Sequence, residues 1–275
     1  MCVHWRSSGK KLLLTAFCLF TIVMVVMTPS GSASAQESVG RIDVYSSQID
    51  QFPMIQLLFK VYDAQGRFIE DLTPEAFQVV EDTVPYPVIG LDQLDPGVQF
   101  TLVFNPAPIF ANYSGGKSNF EQIMATLLAW VDEQNARTPH DFSLITTDGI
   151  SDAHLTVPSE WRRSLEEYQP SLADTSPNLS GLAGALSLAA DATPKPNMER
   201  AILFVTSVLT NEQLNTIPDI IDRAQGLDVR VFVWLVGTNV VNTTQTASAL
   251  QELADSTSGS LFFYSGSEEF PSLDT

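Results

Sequence analysis

Cysteine is nearly missing from this chain: there are two in 275 residues, Cys2 and Cys18, both near the N-terminus. No zinc cluster, CxxC redox pair or thiol nucleophile can be assembled from the rest. Histidine is almost as scarce. His4, His140 and His154 leave little for a His-rich metal site, and no Ser/Asp arrangement beside them argues for a catalytic triad. Positive charge is short as well, 14 Lys and Arg against 32 Asp and Glu, for a formal net charge of −18. A phosphate-backbone binder needs clustered cations, so nucleic acid is a poor partner, and an anionic membrane surface is disfavoured for the same reason. There is no internal repeat and no low-complexity tract. What is present, 44% hydrophobic and 17% charged residues, suits one or two globular domains.

The one long apolar run, 12–27, sits behind Arg6, Lys10 and Lys11 and ahead of small residues that end Ala33-Ser34-Ala35. This is the pattern of a secretory signal over residues 1–35, with cleavage after Ala35, or of an uncleaved signal anchor, since the run just reaches the lower limit for a membrane span. Cleavage would take the formal charge from −18 to −21, three cations and no anion being lost, and would leave no cysteine. An exported chain of that kind depends on its core and not on disulfides.

Two rhythms follow. Residues 41–94 read as a small β module. Residues 55–62 (IQLLFKVY) form a strand closed by the turn Asp63-Ala64-Gln65-Gly66, Thr73-Pro74-Glu75 opens a short helical turn, and 77–81 and 86–91 are further strands, with Pro87 suggesting an edge. After residue 97 strands and helices alternate. Val98–Phe104 is apolar throughout, as when both faces are buried. Residues 117–134 carry apolar side chains at helical spacing, and strands at 142–146, 153–157, 201–205, 229–236 and 261–264 are separated by helices at 161–168, 179–192, 214–224 and 247–256. This predicts an α/β, doubly wound, Rossmann-like domain over 97–275 with a mostly parallel six-stranded sheet, Trp130, Trp161 and Trp234 lying in its core. Residues 268–275 read as the approach to one more helix, so the domain is expected to lack its last helix, as in a piece of a longer protein.

With the strands laid out, the chain resembles the von Willebrand factor type A family, and within it the exported bacterial proteins that join such a domain to an N-terminal β module. The module carries the narrower likeness, in Val61-Tyr-Asp-Ala-Gln-Gly66, Leu72-Thr-Pro-Glu-Ala-Phe77 and Val80-Glu-Asp82. Type A domains commonly hold a divalent cation at the C-terminal ends of their strands, through a D-x-S-x-S loop, a Thr before a middle helix and an Asp after the fourth strand. At those positions this chain has Asn105, Ala107 and Ile109, then Ser180 or Asn178, then Ser207. Both carboxylates are gone, and an amide with one or two hydroxyls does not compensate a hard cation for its lost water. The resemblance therefore implies a degenerate site with no metal and no cofactor.

Other motifs have plainer readings. Thr146-Thr147-Asp148-Gly149 imitates the missing T-D-G but follows the second strand, where a turn is expected. Gly115-Gly116-Lys117-Ser118 echoes a phosphate loop, yet position 111 is Ala, so a loop and helix cap are expected. Asp63, Glu81 and Asp82 suit turns, and Glu166-Glu167 and Glu268-Glu269 suit solvated surface. The functional expectation is a non-catalytic, exported binding, adhesion or scaffolding module, extracellular or in the envelope. Its partner would be another protein, with no small-molecule substrate evident, and its contacts would come from the loops 106–116, 177–180 and 207–211. Asn105, Pro106, Pro108, Asn178, Ser180, Ser207 and Asn211 are the candidate contact residues. The alternative is the N-terminal sensor or assembly region of a larger membrane-anchored envelope protein.

Overall fold

The computed structural model describes residues 2–6, 39–49, 52–64, 69, 72–94, 97–134, 140–173, 175–193, 198–271 and 273. The apolar run and the cleavage motif lie outside the described residues. The chain divides into two units, Met1–Asp95 and Pro96–Thr275.

The first unit is built on an antiparallel sheet. Its strands are β1 (Cys2–Arg6), β2 (Val39–Gln48) and β3 (Met54–Asp63), a separate hairpin of β4 (Val79–Glu81) and β5 (Val84–Tyr86), and then β6 (Val88–Asp92). The sheet order is β2-β3-β1-β6. The segment expected as one strand over 86–91 is divided at Pro87, which has no N–H to give a ladder. The hairpin turn puts Asp82 and Thr83 at positive φ, 49° and 69°, a conformation Asp tolerates well. Phe59, Val61, Ile69 and Val79 form a small core. Residues 2–6 belong to the expected leader, and here they form the strand that joins β3 to β6, antiparallel to both.

The second unit has the predicted architecture. Its strands are β7 (Val98–Phe104), a two-residue hairpin of β8 (Tyr113–Ser114) and β9 (Lys117–Ser118), β10 (His140–Thr146), β11 (Gly149–Leu155), β12 (Glu199–Thr206), β13 (Val229–Val236) and β14 (Leu261–Tyr264). Its helices are α1 (Asn119–Glu133), α2 (Pro158–Glu167), α3 (Ser180–Leu188), α4 (Asn211–Leu214), α5 (Ile217–Gly226) and α6 (Gln245–Ser256). The central sheet runs β11-β10-β7-β12-β13-β14, parallel except for β11. Strand β11 was expected at 153–157; it begins at Gly149 and returns antiparallel because Thr147-Asp148 makes a tight turn, with Gly149 at φ 108°. The helix expected at 214–224 is instead two, α4 and α5, and that expected at 179–192 stops at Leu188.

Alternation along each strand sends side chains to opposite layers. Phe100, Leu102, Phe104, Leu203, Val205, Trp234 and Val236 meet α1 and α2 residues such as Ile123, Leu127, Trp130 and Trp161. Val103, Ile202, Phe204, Val231, Val233 and Leu235 meet α3, α5 and α6 through Leu182, Ile220 and Leu250. Both faces being covered is what makes these strands apolar throughout. Among the described residues no helix is long and apolar enough to cross a membrane.

Candidate functional site

The parallel strands β7, β12 and β13 end together, and the crevice between β7 and β12 is the switch point of the sheet, where doubly wound folds commonly place ligands. Asn105 follows β7 directly and is 4% exposed. Its backbone N–H donates to Val205 O at 2.9 Å, continuing the ladder past the end of the strand. Its side chain is fully committed. Nδ2 donates to the Asn178 carbonyl and to Thr206 Oγ1, each at 2.8 Å, and Oδ1 accepts the Asn178 N–H at 3.1 Å. One amide thus ties together the end of β7, the end of β12 and the loop before α3.

The other candidate residues are arranged around that clamp. Asn178 turns its own Oδ1 to the Ser180 N–H at 2.9 Å and to the Ser180 hydroxyl, so Ser180 is drawn to Asn178 at the start of α3. Ser207 is buried, and its carbonyl accepts from Thr206 Oγ1 at 3.3 Å. Thr206, not Ser207, is the residue at the end of β12 that bonds Asn105. The type A resemblance points to Ser207, and only the register of β12 against β7 shows Thr206 to be the nearer group. Pro106 and Ala107 are buried, Ile109 is partly so, and Pro108 and Asn211 are exposed. Pro108 begins the short 3-10 turn Pro108–Ala111, and Asn211 begins α4, whose cap Thr210 is bonded reciprocally with Gln213. Gln213 Nε2 in turn donates to Pro177 O at 2.8 Å, and buried Thr246 Oγ1 bridges the N–H and carbonyl of Leu209, 3.2 Å from each. The loops above the switch point are therefore cross-braced by neutral hydrogen bonds.

This donor set does not suit a hard divalent cation. It offers no carboxylate, and the Asn105 amide spends both N–H groups and its oxygen on protein partners. Among the described residues no group of three His, Cys, Asp or Glu could hold a metal ion.

No protein-family model matches this chain, and no curated protein matches it either. Among solved structures it is similar to one titled "Crystal structure of conserved hypothetical protein BatB from Bacteroides thetaiotaomicron", at 16% identity and a TM-score of 0.44, over 62% of this chain and 91% of that one. A likeness that remote transfers no residue role.

Two further features surround the site. Four of the five exposed large apolar side chains described in the second unit lie at the C-terminal ends of the parallel strands: Tyr113, Ile150, Val208 and Val240. Val157 is the fifth, after β11, which runs the other way. Beside the clamp, a cleft of about 380 Å³ opens above the ends of β13 and β14, lined by Asn112, Tyr113, Asn119, Asn239 and neighbours. At the opposite end of the sheet, buried Asp141 on β10 receives His154 Nδ1 at 2.9 Å and Gln99 Nε2 at 2.9 Å, and His154 Nε2 meets Asp191 at 3.2 Å. Both ring nitrogens are engaged by carboxylates, so this histidine is not placed to serve a hydroxyl nucleophile.

Proposed function

We propose that this chain is an exported, type A-like binding module that recognises another protein through the C-terminal rim of its sheet, without metal and without catalysis. The observation that carries the reading is the rim itself. Exposed apolar side chains at Tyr113, Ile150, Val208 and Val240 surround loops braced by the Asn105 clamp. Apolar groups presented on a rigid frame bind with little ordering cost, and an amide in place of a cation makes the contact independent of divalent ions. The type A resemblance supports membership of the exported bacterial branch, and the leader pattern supports an extracellular or envelope location.

The test is site-specific photo-crosslinking in cells that make the full chain. A crosslinker at Val208 or Ile150 should give one discrete protein adduct, unaltered by EDTA, whereas one at Glu166 on the outer surface of α2 should give none. Adducts of equal yield from α2, or loss of the rim adduct with EDTA, would overturn the proposal.

A further inference from the structure

The cleft above β13 and β14 is uncharged in a chain of net charge −18. Its walls are amides, hydroxyls and apolar groups: Asn112, Asn119 and Asn239, Ser114, Ser265 and Thr238, with Tyr113 and Val240 among the rest. Asn119 is the informative group. It is 3% exposed, its Nδ2 donates to Ile109 O at 3.0 Å and its backbone N–H to Asn112 O at 2.8 Å, yet its Oδ1 accepts no hydrogen bond from the described residues. An amide oxygen on a cleft wall that no protein group caps is open to a donor from a ligand. The exposed side chains of Asn112 and Asn239 add both donors and acceptors, and Tyr113, 74% exposed, presents a ring at the same cleft.

The backbone beside the cleft is closely packed. Gly266 lies at φ 114°, and a Cβ there would stand 3.1 Å from Ser114 Cβ and 3.5 Å from Asn119 Oδ1. Only glycine allows the β14 loop to approach the β8–β9 hairpin this closely. The Glu268 carboxylate accepts from the Ser265 N–H at 2.7 Å, the Ser265 hydroxyl at 2.6 Å and the Ser267 N–H at 3.2 Å. Burial pushes the Glu268 pKa up, but these bonds prevail and bring it down to about 2, so the loop is capped at any ordinary pH.

We infer that this cleft binds a neutral sugar. A pyranose supplies hydroxyl donors for Asn119 Oδ1, further hydroxyls for the flanking amides and a C–H face for the Tyr113 ring. It carries no charge to be desolvated against a negative protein, and a space of about 380 Å³ is of the size that takes a small ligand. The inference goes beyond the protein-docking reading and does not depend on it: Tyr113 and Val240 belong to both surfaces, but Val208 and Ile150 lie outside the cleft and keep the two tests apart.

Saturation-transfer NMR on the full chain with cellobiose, maltose, lactose and diacetylchitobiose tests it. At least one disaccharide should receive saturation, concentrated on one ring. Affinity should fall about tenfold in Tyr113→Ala and again in Asn239→Ala, both exposed positions that leave the fold intact. Val208→Asp should leave sugar binding unchanged while abolishing the rim crosslink. The inference is overturned if none of the four sugars receives saturation, if transfer persists undiminished in the double variant, or if triglycine, a backbone-only probe, gives the stronger signal.

Discussion

Asn105 spends its whole side chain on three bonds inside the protein, and that sets what a carboxylate at this position would cost. Asn105→Asp keeps the shape but removes both donors and sets a carboxylate against the Asn178 carbonyl. It should cost about 1–3 kcal/mol in urea denaturation, the range for buried partners left unmet. Calorimetric titration of that variant with Mg²⁺ should show no binding heat, because nearby Ser207 supplies no second carboxylate. A magnesium-dependent rise in stability would mean the remaining hydroxyls suffice. His154 makes the second residue-scale prediction. Burial opposes a charge on its ring, but hydrogen bonds and charge from Asp141, then Asp191, outweigh it and raise its pKa above the ordinary 6.5. With the folded value the higher, the stabilisation is present in full below the unfolded value and fades as pH rises through the folded one. His154 sits at φ 56°, so His154→Asn preserves a conformation that asparagine accepts. The gap in melting temperature between wild type and this variant should be widest near about pH 5.5 and should shrink by about pH 8. A gap independent of pH would show that His154 contributes packing alone.

Helix α3 shows what an element needs beyond its own sequence. Its small residues let it lie close to the sheet: a Cβ on Gly181 would fall 2.8 Å from Val103 Cγ1 and 3.5 Å from Ile145 Cγ2. Gly181→Ala gains up to about 1 kcal/mol of helix propensity. Overpacking against two stiff β-branched side chains costs about 1–3 kcal/mol, so thermal unfolding should show a net loss of stability. Because Asn178 and Ser180 stand at the start of this helix, the same variant should loosen the Asn105 clamp, visible as faster amide exchange at Asn178. Helix α1 is set at its N-terminus by a complete capping box. Ser118 Oγ accepts from the Glu121 N–H at 3.2 Å, and Glu121 Oε2 accepts from the Ser118 N–H at 2.6 Å. Ahead of it Gly115 and Gly116, at φ 59° and 85°, close the β8–β9 hairpin. The loop-and-cap reading of Gly115-Gly116-Lys117-Ser118 was therefore accessible from local chemistry, since turn glycines and S-x-x-E act within a few residues. Strand β11 was not, because nothing local says whether a strand after a D-G turn returns along its neighbour or crosses over.

At the scale of the whole molecule, the two units differ in how much they bury. The β module rests on Phe59, Val61, Ile69 and Val79, while the α/β unit has an extensive apolar layer on each face of its sheet. Hydrogen exchange on the full chain should find the amides of β3 and β6 less protected than those of β12 and β13. Strand β1 sharpens this, since it pairs with both β3 and β6. A form cut after Ala35 loses that strand and leaves two sets of ladder groups unpaired, so its β3 and β6 amides should exchange faster still. Equal protection in the cut and uncut forms would show that the module closes on itself without β1.

Period, capping and composition act along the chain, and from them the sequence alone settled the α/β class, the layered alternation of strands and helices, the buried tryptophans and the neutral residues, Asn105 and Ser207, that follow β7 and β12. How those neutral groups pair is a different kind of fact. That Asn105 meets Thr206 rather than Ser207, that Asn178 answers it with its backbone, and that Asn119 is left with an unspent oxygen beside a cleft depend on strand register and on residues as many as 101 positions apart. Those contacts arise when layers pack and strands align side by side, and hydrogen-bond partners chosen that way leave no mark in local sequence.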